Sequence, residues 1–68
     1  MTYRELIARL RAAGFEFDRS AAGSHEIWYN AVTKHRTTVH NHPGDIPTGT
    51  LRAIIRQAGL TKNQFNQL

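Results

Sequence analysis

The sequence predicts a small α+β protein in which two helices lie on one face of a three-stranded antiparallel sheet. Helical spacing of apolar residues near both ends, alternation with β-branched residues between them, and glycine or proline at the junctions predict this fold. The chain has 68 residues and no cysteine. We therefore expect one domain over residues 1–68, held by a core of ordinary side chains without a disulfide framework.

The first helix is predicted over residues 2–13. Thr2 and Glu5 stand at the spacing of a capping box, in which each side chain bonds the backbone amide of the other residue. Gly14 supplies the left-handed residue that commonly ends a helix, and Phe15 is the apolar contact that follows. The residues that recur at helical spacing are Tyr3, Leu6, Ile7, Leu10 and Ala13.

Three strands are predicted next, over residues 15–20, 24–30 and 35–40. In the first strand, Phe15, Phe17 and Arg19 alternate with polar residues, which predicts that they share one face. We expect Phe15 or Phe17, with Trp28, in the core. Alternation in the second strand separates Trp28 from His25 and leaves open which of the two faces meets the helices. Residues 31–34 form the hairpin loop that joins the second and third strands.

A second helix is predicted after an irregular loop at residues 40–47, with Thr48 or its neighbour as the cap and Gly59 as the end. A second capping box, Thr61 to Gln64, begins a short last helical turn that is expected to bring Phe65 and Leu68 onto the core. The apolar stripe of the second helix consists of Leu51, Ile54, Ile55 and Ala58. One sheet face serves both helices, and the opposite face is left to solvent or a partner.

The charge balance favours a polyanionic partner. The net charge is +4 with the histidines neutral, and a basic surface on so small a body suits nucleic acid, although charge that only keeps the protein soluble is the simpler interpretation. No apolar run approaches the roughly 20 residues of a membrane helix, and the first residues lack a signal-peptide pattern. We expect a cytoplasmic protein without membrane contact.

The four histidines all fall between positions 25 and 42. An imidazole acts as general base or acid at neutral pH, whereas the simpler interpretation of His25 is a strand-edge residue that bonds a backbone carbonyl. His40, His42 and Asp45, with His25, have the residue types of a zinc site, but they equally fit solvated loop residues or phosphate donors. A cysteine nucleophile, a serine nucleophile elbow, a P-loop and a dinucleotide fingerprint are all absent from the sequence. Gly49-Thr50 at a helix start fits either an anion-binding N-terminus or a simple cap.

Several short motifs occur in a fixed order along the chain. They are Gly14-Phe15, Gly23-Ser24-His25, His42-Pro43, Gly49-Thr50-Leu51 and Ile54-Ile55-Arg56-Gln57-Ala58-Gly59-Leu60. With these motifs, the chain resembles the HicA-type toxins of bacterial and archaeal toxin-antitoxin pairs over nearly its whole length. The resemblance implies a double-stranded-RNA-binding-domain-like α-β-β-β-α fold and an mRNA interferase that stops translation by cleaving RNA. It also implies a HicB-type antitoxin as partner, in a hetero-oligomer that covers the active surface.

The resemblance gives the catalytic role to His25, with Gly23 and Ser24 shaping the turn that presents it. The family often has a Pro-x-His motif at the end of the third strand; His42 matches its histidine, whereas His40 has no counterpart. The mechanism we predict requires no metal and no cofactor: His25 takes the proton of a ribose 2′-OH, and His42 or a water protonates the leaving 5′ oxygen.

The residues predicted to bind RNA are Ser24, Arg19, Lys34, Arg36 and His42. The three cations among them are expected to neutralise the negative charge that develops on the phosphorane. A non-catalytic double-stranded-RNA binder is the alternative. A zinc-dependent hydrolase that uses His25, His40, His42 and Asp45 comes third.

Overall fold

The computed structural model describes residues 1–68 and confirms the predicted α-β-β-β-α order with a short helical end. The elements are α1 (Tyr3–Ala12), β1 (Glu16–Ser20), β2 (His25–Tyr29), β3 (Arg36–His40), α2 (Thr48–Gln57) and α3 (Lys62–Asn66). The predicted bounds of the first helix and of the three strands differ from the observed bounds by at most one residue at either end. None of the three helices is long and apolar enough to cross a bilayer.

Both predicted capping boxes are present. At the start of α1, Thr2 Oγ1 accepts from the Glu5 amide at 3.3 Å, and Glu5 Oε1 accepts from the Thr2 amide at 3.0 Å. Hydrogen bonds from the Thr2 backbone and side chain lower the pKa of the Glu5 carboxyl. Thr61 and Gln64 make the same reciprocal pair at the start of α3. α2 differs, because its N-cap is Pro47 and no side chain bonds its first amides.

The sheet is an antiparallel meander in the order β1-β2-β3. A β-bulge interrupts the β1–β2 pairing between Phe17, which opposes Trp28, and Arg19, which opposes Ile27. Opposed residues share a face, so the extra residue moves Arg19 to the face opposite Phe17. The prediction from alternation that Phe17 and Arg19 share a face is therefore wrong.

The helices pack on the face of the sheet that carries Trp28 and Val39, whose side chains are almost fully buried. Of Phe15 and Phe17, Phe15 is the one buried in the core, whereas Phe17 is 48% exposed. Phe65 is buried as predicted, but Leu68 is 40% exposed, so its predicted burial is wrong. The buried hydrophobic residues are Leu6, Ile7, Leu10, Phe15, Trp28, Val39, Ile46, Ile54, Ala58 and Phe65.

The other face of the sheet, which we call the open face, is not covered by a helix. Its residues on the three strands are Glu16, Arg19, His25, Ile27, Tyr29, Arg36, Thr38 and His40. Ile27 and Tyr29 are half-buried, and the remainder are exposed. This answers the question that alternation left open: the face of His25 is the one that meets solvent.

The two edges of the sheet differ. α2 runs beside β3, where Gln57 Oε1 accepts from the Thr38 amide at 3.1 Å and lies 3.1 Å from the Thr37 hydroxyl. Just beyond α2, Gly59, at φ +73°, lies against the ring of His35, the residue before β3. β1 forms the other edge and pairs only with β2.

Asn30 and Glu26 make polar contacts inside the fold that were not predicted. Asn30 is 4% exposed and joins the end of α1 to the β2–β3 loop through three side-chain hydrogen bonds. Glu26 lies under the sheet, where its Oε1 accepts from Tyr3 Oη at 2.6 Å and from Trp28 Nε1 at 3.0 Å. Burial, and then the Glu26 carboxylate, raise the pKa of Tyr3 to about 12.

Candidate active site

The turn before β2 fixes the orientation of His25. Gly23 adopts φ +68°, and the Ala21 amide donates to the His25 carbonyl oxygen at 2.8 Å. His25 Nδ1 lies 2.9 Å from the carbonyl oxygen of Ala22. Because a carbonyl only accepts, we assign the hydrogen to Nδ1, which places the lone pair of the neutral ring on Nε2. A bond from His25 to a backbone carbonyl was the simpler interpretation of this residue, and that bond is present. The same bond leaves Nε2 free to act as a base.

His40 lies directly across from His25 in the β2–β3 pairing. The two rings are stacked, with centroids 5.1 Å apart and planes inclined by 28°. His42 touches the far side of the cluster, edge-on to His40 at 5.7 Å. Its Nδ1 is buried without a hydrogen-bond partner. His40 is therefore the ring that contacts both His25 and His42.

Two hollows adjoin His25. The first, of about 280 Å³, is lined by no hydrophobic residue and is called here the serine hollow; its lining residues are Ser20, Gly23, Ser24, His25, Glu26 and Asn41. The second, of about 420 Å³, lies between the open face and α2 and is called here the histidine groove. Its lining residues include His25, Thr38, His40, Gly49, Thr50 and Gln57. An extended ligand lying across His25 would enter both hollows.

The predicted cations occupy different parts of the open face. Arg19 opposes Ile27, two residues along β2 from His25, and its Nη1 lies 3.3 Å from Asp18 Oδ2. Arg36 opposes Tyr29 at the other end of β2, and its guanidinium lies 4.3 Å from the centre of the Tyr29 ring. That end is four residues, or about 13 Å, from His25.

Lys34 lies farther still, in the β2–β3 loop at φ +68°. Of the residues predicted to bind RNA, the structure brings Ser24 next to His25 and Arg19 near it. It does not bring Lys34 or Arg36 there.

The arrangement required for the zinc hydrolase does not form. Asp45 Oδ1 lies 3.5 Å from the amino-terminal nitrogen of Met1, and the Asp45 backbone forms an isolated β-bridge with Thr2. Asp45 therefore does not approach the histidines. No three histidine or carboxylate side chains are placed so that they could share a metal ion.

The stacking of His40 on His25 was not predicted, although the sequence contains a signal for it. The sequence predicts the hairpin loop at residues 31–34, so Asn30 and His35 face each other at its base. Each step back along the second strand matches one step forward along the third, and five steps place His25 opposite His40. Gln57 and the bulge beside Arg19 depend on contacts between distant segments and have no comparable local pattern.

A family model described as the HicA toxin of bacterial toxin-antitoxin pairs matches residues 3–60. The match includes all the residues of the open face, the serine hollow and the histidine groove. No curated protein matches the chain.

Proposed function

The chain belongs to the HicA toxin family of bacterial toxin-antitoxin systems, and from that premise we propose that it is a ribonuclease in which His25 is the general base. Neutral His25 takes the proton from a ribose 2′-OH, and that oxygen attacks the adjacent phosphorus. The products are an RNA end with a 2′,3′-cyclic phosphate and a second fragment with a 5′-hydroxyl. RNA is required, because DNA lacks the nucleophile.

The observation that carries this proposal is the contact of His25 Nδ1 with the Ala22 carbonyl, at 2.9 Å. It holds the ring at the junction of the serine hollow and the histidine groove and leaves Nε2 as the basic atom. A positioned base of this kind contributes about 10²- to 10⁴-fold to a rate. The reaction needs no bound metal, since a side chain supplies the base.

Negative charge that develops on the oxygens of the attacked phosphate is stabilised from two sides of His25. The bulge places Arg19 on the open face. Its ion pair with Asp18 is solvent-exposed and therefore weak, so a phosphate can replace the Asp18 carboxylate as its partner. Gly49 and Thr50 line the groove in the first turn of α2, where free amides and the helix dipole favour an anion. Arg36 and Lys34, at the far end, bind phosphates farther along the RNA.

The antitoxin partner is a HicB-type protein that covers the open face. The toxin carries a net charge of +4, so an acidic antitoxin surface would associate with it rapidly and would cover the surface that binds RNA. This proposal accounts for neutralisation without any change in the fold of the toxin.

The test is cleavage of a mixed-sequence RNA by the purified chain and by His25→Ala, each with and without EDTA. His35→Gln is the matched control, since His35 lies just before β3, at the end remote from His40 and His25. We expect His25→Ala to lose about 10²- to 10⁴-fold in rate, while the control and the EDTA samples cleave as the unaltered protein does. Circular dichroism checks the fold of each variant, and analysis of fragment ends checks for the cyclic phosphate.

If the unaltered protein and His25→Ala bind RNA equally and neither cuts it, the catalytic proposal is wrong and the protein is an RNA binder. Cleavage of a DNA strand of the same sequence at the same rate would exclude the 2′-OH mechanism. Loss of cleavage in EDTA alone would point to a metal-dependent enzyme.

A further inference from the structure

We propose that His40 is the general acid of the same reaction, donating the proton that the leaving 5′ oxygen requires. This inference rests on the proposed ribonuclease activity and adds a second catalytic residue to it. The observation behind it is the stacked pair of imidazoles on the open face, His25 and His40, with ring centres 5.1 Å apart.

The strand pairing fixes the two rings beside each other. The Asn41 amide donates to the Ser24 carbonyl oxygen, so the next opposed pair, His25 and His40, is a non-hydrogen-bonded pair of the ladder. Side chains at such positions approach more closely than those at hydrogen-bonded positions. The rings are therefore neighbours because of the backbone register and do not depend on a flexible loop.

Both rings line the histidine groove, so one phosphate can meet both. His40 is exposed, and no protein group bonds its ring nitrogens. His42 is less suited to the role, because it does not line the groove and its Nδ1 is buried. Of the two additional histidines in the cluster, His40 is the one with access to substrate.

In the reaction, His25 Nε2 accepts the 2′-OH proton as the O2′–P bond forms. The P–O5′ bond breaks, and O5′ receives a proton from the His40 imidazolium. The two apical oxygens lie on opposite sides of one phosphorus, and each must lie about 2.6–3.2 Å from its catalytic nitrogen. Rings separated by 5.1 Å can serve both oxygens. After cleavage His25 is protonated and His40 neutral, and exchange with water restores the starting state.

The experiment compares two RNA substrates. The first is an ordinary oligonucleotide with a cleavage site mapped with the unaltered protein. The second is identical except that sulfur replaces the bridging 5′ oxygen at that site, which gives a leaving group that departs without protonation. The variants are His40→Gln and His40→Thr, with His35→Gln as the matched control, His42→Gln as the test of the competing acid and His25→Ala as the base variant; circular dichroism checks each fold.

We expect both His40 variants to cleave ordinary RNA about 10²- to 10⁴-fold more slowly and to cleave the sulfur substrate at nearly the unaltered rate. His25→Ala should remain slow on both substrates, because the attacking 2′-OH still needs its base. Unchanged cleavage of ordinary RNA by the His40 variants would overturn the inference and leave the ribonuclease intact. Rescue by sulfur in His42→Gln instead would give the acid role to His42. No cleavage by the unaltered protein would overturn both proposals.

Discussion

Replacing Asn30 with alanine tests whether one buried amide holds the end of the fold remote from His25. Asn30 Nδ2 donates to the Ala13 carbonyl oxygen at 3.1 Å, and Oδ1 accepts from the amides of Val32 and Thr33 at 2.9 and 3.1 Å. Alanine removes all three bonds and leaves their backbone partners without a substitute from the protein.

The expected loss follows from these three hydrogen bonds, each with a net contribution of about 1 kcal/mol, so Asn30→Ala should lose about 3 kcal/mol of unfolding free energy. A chain of this length has a total stability of only about 3–10 kcal/mol. The variant should therefore be strongly destabilised, although its chemistry at His25 is untouched.

Urea unfolding followed by the fluorescence of Trp28 measures the effect, since Trp28 is the single tryptophan and is buried. With a denaturant slope of about 1 kcal/mol per molar urea, the midpoint should fall by about 3 M. Asn66→Ala, at an exposed position of α3, is the control and should stay within about 0.5 kcal/mol of the unaltered protein. A similarly small loss in Asn30→Ala would refute the reasoning.

Two further predictions concern stability. Gly59→Ala should lose about 1–3 kcal/mol in the same urea assay, because Gly59 has φ +73° and a Cβ there would lie 2.6 Å from the His35 ring. Adding His35→Ala should recover only the part due to overlap, and full recovery would show that the backbone conformation costs nothing. The Tyr3 pKa, raised from 10.0 to about 12, predicts a stabilising contribution that is present below pH 10 and is lost as pH rises toward 12. Tyr3→Phe should lack this alkaline loss, and equal losses in both proteins would contradict the assignment.

Local signals explain which parts of the fold were predictable. The capping boxes at Thr2 and Thr61 depend on residues three positions apart, and both formed as predicted. The bulge before Arg19, the exposure of Leu68 and the burial of Asn30 depend on how distant segments meet, which no short pattern encodes. The His25 turn was likewise local, since Gly23 and Ala22 shape it from within the same loop.

The unequal edges of the sheet limit how the protein can assemble through its backbone. Gln57 and the adjoining turns of α2 obstruct the β3 edge, whereas β1 keeps a row of unpaired amides and carbonyls. A strand from another molecule can therefore extend the sheet on one side only. Two copies joined β1 to β1 would form a closed pair with twofold symmetry and no further edge to offer. Assembly by strand addition therefore stops at a dimer. The topology opposes fibre formation even though β1 is an exposed edge strand in the single molecule.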